Sequence, residues 1–286
     1  MDSPQIAVNP NRDDPPRPPV ITLTTDFGLR DTYVGQMKGV ILSIAPAARI
    51  VDLTHEIPPH DVMAGALAIA SATNAFAPGT IHVGVVDPGV GTDRAAIAVR
   101  TECGIYVGPD NGLFTSVLGA HAVCSAVSLT HTAYHRPVVS RTFHGRDIFA
   151  PVAGHLAMGT PLARMGEPIT TPLLLEIPTP CRTPHGLELR VLVIDRFGNL
   201  TTNLDSSGLD AFRSQSGDAP FTVDIAGRSI TSIQQTFGDV APGKLVCYFG
   251  SSGRLEIAVR DGNAARELGA GPQTVILLKA IDRADS

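Results

Sequence analysis

From Val20 onward the chain switches repeatedly between two apolar rhythms. Short runs of strand length stand at 21–25, 49–51, 81–86, 95–100 and 105–107, while 33–43, about 61–76 and about 147–158 carry helical spacing. Pro46 stops the first of those helices, and Asp31 and Asp61 are the N-cap candidates of the first two. Strands alternating with helices predict an α/β N-terminal domain with a central sheet flanked by helices. Five prolines between Pro168 and Gly186 break this pattern. Beyond them come short runs at 221–225, 244–249, 255–259 and 274–278, separated by Gly, Ser and Asp, which predict a smaller C-terminal antiparallel β-barrel-like domain. The expected boundaries are a flexible tail over 1–19, the N-terminal domain over 20–175, a linker over 176–185 and the β domain over 186–286.

Several of the strands end on an acid. The apolar run 81–86 stops at Asp87-Pro88-Gly89-Val90-Gly91-Thr92-Asp93-Arg94, whose proline and glycines force a turn and let backbone approach a ligand closely. Arg94 returns seven positions later, near enough to pair with Asp87. Asp26, Asp52 and Asp195 close the runs 21–25, 49–51 and 189–194 in the same way. Ligands of open α/β sheets sit beyond the carboxyl ends of strands, so these acids are expected to line a crevice suited to a cationic or polyhydroxylated ligand. The plainer reading of Asp87 and Arg94, a turn-capping aspartate and a surface arginine, stands beside it.

Composition narrows the field. With 286 residues, 43% of them hydrophobic, the chain can bury a large core, and a net charge of −5 without basic clusters argues against nucleic acid as a partner. No uncharged apolar stretch of about 18 residues occurs and no membrane partner is expected, which predicts a cytoplasmic protein. Cys103, Cys124, Cys181 and Cys247 are widely spaced and read as ordinary buried thiols.

Neither Gly-x-Gly-x-x-Gly, a phosphate-binding P-loop nor a Gly-x-Ser-x-Gly elbow is present. Arg141-Thr142-Phe143-His144-Gly145-Arg146-Asp147 is the second dense cluster, in which His144 is a candidate general base or water-orienting group. His131 and His135 would share a face only if helical, and neither they nor His55 and His60 have further donors at metal spacing, so no metal is expected. In Asp195-Arg196-Phe197-Gly198-Asn199, Phe197 offers a stacking face and Asn199 a carboxamide, although Phe-Gly-Asn is also an ordinary turn. Gly250-Ser251-Ser252-Gly253 is a polar loop, and Glu256 alternates with Leu255 and Ile257, pointing either to solvent or into a site.

Taken together, Thr24-Thr25-Asp26-Phe27-Gly28, Asp52-Leu53-Thr54-His55-Glu56, the Asp87 to Arg94 segment, Phe143-His144-Gly145-Arg146-Asp147 and Asp195-Arg196-Phe197-Gly198-Asn199 resemble, in order, the S-adenosylmethionine hydroxide adenosyltransferases, water-using relatives of fluorinase and chlorinase. The resemblance implies a homotrimer with sites at subunit interfaces, no cofactor, and SN2 displacement at C5′ of S-adenosylmethionine by water to give adenosine and L-methionine. It also implies that Asp87, Arg94 and His144 hold the water, Asp26 the ribose, Phe197 and Asn199 the adenine, and Asp31, Asp195, Ser251 and Ser252 the methionine end, with Glu256 a further substrate contact. The halogenating relatives carry Tyr at the positions of Asp87 and His144, and fluorinase an arginine at that of Ser252. Two alternatives remain open, a noncatalytic adenosine- or S-adenosylmethionine-binding protein and an S-adenosylmethionine-dependent halogenase; a third reading is a metal-dependent hydrolase built on the strand-end acids.

Overall fold

The computed structural model describes residues 18–281, so most of the expected tail lies outside it. The chain divides after Leu175 into two compact units. In the first, β1 (Val20–Thr25), α1 (Tyr33–Ile44), β2 (Arg49–Thr54), α2 (Val62–Thr73) and β3 (Thr80–Val85) form two successive crossovers. They are followed by the hairpin of β4 (Ala96–Thr101) and β5 (Gly104–Pro109), then α3 (Thr115–Ala120), β6 (Val123–Ser128), a π-helix (Gly145–Phe149), α4 (Ala150–Ala157) and a short β7 (Glu167–Pro168). The seven strands make one sheet in the order β2-β1-β3-β5-β4-β6-β7, parallel across the first four and antiparallel thereafter. α3, β6 and β7 were not foreseen: their apolar runs are short and half of β6 is exposed.

Parallel strands covered on both faces read as unbroken apolar runs, and β3 and β5 are buried along their whole length. On one face Ile21, Leu23, Val83 and Val107 pack with Met37 and Ile41 of α1 and Val152 of α4. The other face brings large side chains against glycines. A Cβ on Gly65 of α2 would come within 2.7 Å of Leu113 Cδ1, and one on Gly84 within 2.8 Å of both Ile69 Cδ1 and Leu113 Cδ2. His82 is buried there, its ring stacked on Tyr106 at 5.0 Å and its Nδ1 2.9 Å from Thr22 Oγ1. Burial pushes its pKa down to about 4, so it is a neutral core residue. Asp61 caps α2 as expected, accepting from the Ala64 N–H at 2.9 Å, whereas Thr32, not Asp31, occupies the N-cap of α1 and makes no side-chain cap.

The second unit strings β8 (Cys181–Thr183), β9 (Gly186–Ile194), β10 (Leu200–Asp205), α5 (Ser206–Gln215), β11 (Phe221–Ile225), β12 (Arg228–Ile230), β13 (Ile233–Gln234), β14 (Leu245–Phe249), β15 (Arg254–Val259), α6 (Ala264–Leu268) and β16 (Val275–Ala280) into one strongly curved, nearly closed sheet. Neighbouring strands are antiparallel except β13 and β14. Its core joins Leu189, Val191, Leu200, Ile257 and Leu278. Residues expected to be linker include the strand β8, and the amphipathic α5 is an addition to the expected all-strand reading. Of the four cysteines only Cys247 is buried; Cys103 is half-buried, and Cys124 of β6 and Cys181 of β8 are exposed, so most are not the buried thiols expected.

Two glycines give opposite expectations. Gly84→Ala should destabilise the protein by roughly 1–3 kcal/mol through overpacking. Gly39→Ala, in α1 with no atom within 4 Å of the added methyl, should stabilise by roughly 0.5–1 kcal/mol. Urea midpoints that move in opposite directions would bear this out; equal shifts would contradict it.

Candidate active site

Strand order dictates where the first unit opens. β1 leads through α1 to β2 on one side, and the chain then crosses back through α2 to β3 on the other, so connections leave the carboxyl ends of β1 and β3 in opposite directions. Such a switch point leaves a crevice. A cavity of about 310 Å³ lies there, lined among others by Asp26 and Phe27 beyond β1, Asp87 beyond β3, and Phe143, His144 and Gly145 at the start of the π-helix.

Behind its wall Arg94 is the organising charge, bonded to two of the lining residues. Its Nε donates to Asp87 Oδ1 at 2.9 Å, its Nη2 donates to Asp87 Oδ2, and the same Nη2 donates to His144 Nδ1 at 2.9 Å. Nη1 donates to the Ala95 carbonyl at 3.2 Å, and the guanidinium carbon lies 5.4 Å from the Phe149 ring centre. The Arg94 and Asp87 side chains are only 9% and 5% exposed, so the fork geometry is held in a partly dry setting. Arginine has no acceptor, so His144 Nδ1 must be the unprotonated nitrogen; a neutral ring then carries its proton on Nε2. Burial first, and the Arg94 charge second, lower the His144 pKa against the pull of Asp87 and Asp147, which keeps the imidazole neutral.

Three devices hold this arrangement. Gly91 has φ +79°, and a Cβ there would meet the Arg141 carbonyl oxygen at 2.5 Å. The glycine turn therefore draws the Asp87–Arg94 loop onto the segment that carries His144, where the sequence suggested close approach to a ligand. Asn111, which sequence reasoning passed over, donates from Nδ2 to the Val86 carbonyl at 2.8 Å and fixes the strand end just before Asp87. Asp147 is fully buried and accepts from Arg146 Nε at 2.7 Å and Nη2 at 2.9 Å and from the Ser140 N–H at 2.8 Å. Burial alone would raise its carboxyl, but these donors and Arg136 hold it below the usual range, so the loop before the π-helix folds around a fixed anion.

The remaining candidates sort by place. Asp26 stands at the cavity with Oδ2 accepting from the His60 N–H at 2.9 Å, His60 itself taking φ +67°. Phe27, Tyr33 and Phe143 form an aromatic wall with ring centres 5.2 to 5.9 Å apart. Asp31 is exposed in the turn before α1. Asp52 does not join the crevice: β2 runs on to Thr54, and Asp52 pairs with Lys38 Nζ at 2.6 Å and lies 3.0 Å from His55 Nε2. A strand-end acid absent from the sequence reading, Asp110 beyond β5, accepts from the Leu173 N–H at 2.8 Å, and burial raises its carboxyl against that bond and the Arg94 charge. His131 and His135 flank a 3-10 turn, with His131 Nδ1 2.8 Å from the Arg164 carbonyl, so they share no helical face.

In the second unit Asp195 closes the β9–β10 turn. Its Oδ1 accepts from the Phe197 and Asn199 N–H groups at 2.9 Å each and its Oδ2 from Asn199 Nδ2 at 2.8 Å. Phe197 is thereby presented at the tip, 73% exposed. Glu256 lies opposite Tyr248 in the β14–β15 pairing. Burial first, with the Asp195 charge, raises the Glu256 carboxyl, and burial with the Glu256 charge pushes Tyr248 up to about 12. Ser251 and Ser252 are exposed in the β14–β15 turn.

Comparison with known proteins agrees with this two-unit layout. Residues 21–166 match the SAM hydroxide adenosyltransferase N-terminal domain and residues 189–277 the corresponding C-terminal domain. The chain is 41% identical over 257 residues to the (R)-S-adenosyl-L-methionine hydrolase of Salinispora tropica, covering 89% of this chain and 95% of that one. It is 29% identical to a fluorinase of Actinoplanes sp. over 84% of this chain and 90% of the relative. A crystal structure of an uncharacterized conserved protein from Thermotoga maritima superposes with a TM-score of 0.83 at 36% identity, covering 91% of this chain and 99% of that one. With both domain profiles matched along most of its length, the chain belongs to the SAM hydroxide adenosyltransferase family.

Proposed function

We propose that the protein hydrolyses S-adenosylmethionine at C5′, giving adenosine and L-methionine. The observation that carries this reading is the single guanidinium joining Asp87 to His144 at the cavity. A water there accepts a hydrogen bond from His144 Nε2–H and donates one to the Asp87 carboxylate, whose outer lone pairs are left over by Arg94. As the water oxygen bonds to C5′, the C5′–S bond breaks with its electron pair going to sulfur, and methionine leaves as a neutral thioether. The water proton passes to Asp87 and then to solvent. Because Nδ1 of His144 is occupied by Arg94 and Nε2 already holds a proton, Asp87 is the acceptor and His144 the orienting donor. Alignment contributes several kcal/mol and the proton acceptor about 10²- to 10⁴-fold. A carboxylate at the nucleophile position repels halide, which opposes the halogenase reading.

In the same proposal Asp26 binds the ribose hydroxyls, Phe197 and Asn199 the adenine, and Asp31, Asp195, Ser251, Ser252 and Glu256 the methionine end, in a homotrimer where neighbouring subunits complete each site. The chemistry needs no metal or cofactor. The relative's name directs attention to the (R)-sulfonium diastereomer as the substrate to test first.

Chromatography of products from each sulfonium diastereomer, with chelator and with high chloride, is the direct check: adenosine under all conditions is expected, and a 5′-halogenated nucleoside or unchanged substrate would overturn the reading. Asp87→Asn should lower kcat by about 10²- to 10⁴-fold while adenosine still binds by calorimetry; near-normal turnover would remove Asp87 from the mechanism. Lowering pH protonates His144, puts Nδ1–H against the Arg94 donor and breaks the contact, so activity is lost as pH falls through a value below the ordinary 6.5. An acid limb of kcat/KM at or above 6.5 would contradict a neutral His144. Gly91→Ala, forced into positive φ and against Arg141, should cost about 1–3 kcal/mol in unfolding experiments and reduce kcat more than tenfold. Unchanged kcat would show that the loop tolerates displacement.

A further inference from the structure

At the other end of the N-terminal sheet lies a group of side chains that hydrolysis does not use. The two-residue turn between β4 and β5 carries Glu102 and Cys103, and His121 follows α3 directly. The Cys103 N–H donates to Thr101 Oγ1 at 3.1 Å, which fixes the turn. Cys103 Sγ lies 3.3 Å from His121 Nδ1 and 3.7 Å from Nε2, and Glu102 Oε1 lies 3.4 Å from the same Nδ1. The three donor atoms all fall within 4.8 Å of one another.

These separations have a specific meaning. Around a tetrahedral zinc with sulfur at about 2.3 Å, nitrogen at about 2.0–2.1 Å and oxygen at about 2.0–2.2 Å, a sulfur and a nitrogen sit roughly 3.5–3.6 Å apart and a nitrogen and an oxygen roughly 3.3–3.5 Å apart. The nitrogen–oxygen separation of 3.4 Å falls in its range, and the sulfur–nitrogen separation of 3.3 Å needs only a small outward side-chain shift with the backbone as it stands. Without a cation, one imidazole nitrogen faces both a thiol sulfur and a carboxylate oxygen while able to hold a single proton. A divalent cation satisfies all three donors together. The donor set of one sulfur, one nitrogen and one oxygen suits zinc and does not suit calcium or magnesium, which take oxygen ligands. Glu102 is exposed and the other two are half-buried, so an ion can enter from solvent and keep a water as its fourth ligand.

We propose that Glu102, Cys103 and His121 form an open zinc site, with three protein ligands and a water. The cavity opens beyond the carboxyl ends of β1 and β3, whereas Cys103 immediately precedes β5, whose first residue Gly104 pairs with Thr80 at the start of β3. Six strand residues, roughly 20 Å, separate the two places. The ion therefore ties the β4–β5 turn to the end of α3 without entering the chemistry. Binding converts the Cys103 thiol to thiolate and releases its proton to solvent.

Titration of the chelator-stripped full chain with zinc chloride by calorimetry should show one equivalent bound per chain, a raised melting temperature and an unchanged kcat. Cobalt(II) in its place should give a thiolate-to-metal charge-transfer band. Since losing even an outer partner of a metal ligand typically weakens binding 10- to 100-fold, Cys103→Ser and His121→Ala should each weaken zinc by ~100-fold or more and abolish the cobalt band. Cys181→Ser, in the other unit, should change neither. Glu102→Gln replaces an exposed side chain with one of equal size, so it should weaken zinc at least tenfold in a chain that folds normally. Absence of stoichiometric binding, or wild-type affinity in Cys103→Ser or Glu102→Gln, would overturn the site.

Discussion

Everything at the cavity depends on one guanidinium with more than one obligation. Arg94 must neutralise Asp87 in a nearly dry place, where an unpartnered carboxylate is costly, and must at the same time donate to His144. A lysine could supply the charge but not the planar fork that reaches both partners. Because arginine only donates, its contact with His144 decides which ring nitrogen bears the proton, and hence that the histidine faces the cavity as a donor. Two residues far apart in sequence thus acquire complementary roles, acceptor and donor, from a third that lies between them.

The supporting structure exists to keep that bridge intact. Parallel pairing of β1 with β3 brings Asp26 and Asp87 to one edge, the Gly91 turn closes on Arg141, and Asp147 organises the loop that delivers His144. None of these supports can act alone. A drifting loop would leave Asp87 paired but His144 free to titrate near neutrality, so rigidity here is an electrostatic requirement as much as a geometric one.

Local signals were legible wherever a residue's role is set by its immediate neighbours. The α/β alternation, the Asp61 cap and the pairing of Arg94 with Asp87 across one turn follow from spacing. What was hidden depends on tertiary pairing. Asp52 reads as a strand end because the apolar run 49–51 stops there, yet the pairing of β2 with β1 carries the strand past it. Asp110 and Asn111 follow a run too short to be weighted, and only the placement of β5 beside β3 brings Asn111 to the Val86 carbonyl at the end of the apolar run that Asp87 closes. Cys103 and His121 stand 18 positions apart with no zinc-finger spacing, and a hairpin turn and a helix end bring them into contact. The resemblance to a family is what proposes Asp87, Arg94 and His144 as one set, since no spacing rule joins Asp87 to His144.

The π-helix that follows His144 has a further consequence. Each of its turns holds one residue more than an α-helical turn, an arrangement that survives only when something compensates its poorer packing. Removing a single residue between Gly145 and Phe149 would let the segment run into α4 as a continuous α-helix with little net rotation, since one wide turn spans about the same angle as the narrower α-helical turn that would replace it. The histidine would keep roughly its bearing toward the arginine while the widened turn behind it closed. The extra residue is therefore taken up locally, in a widened turn of the kind frequent at functional sites, and leaves the elements on either side in place.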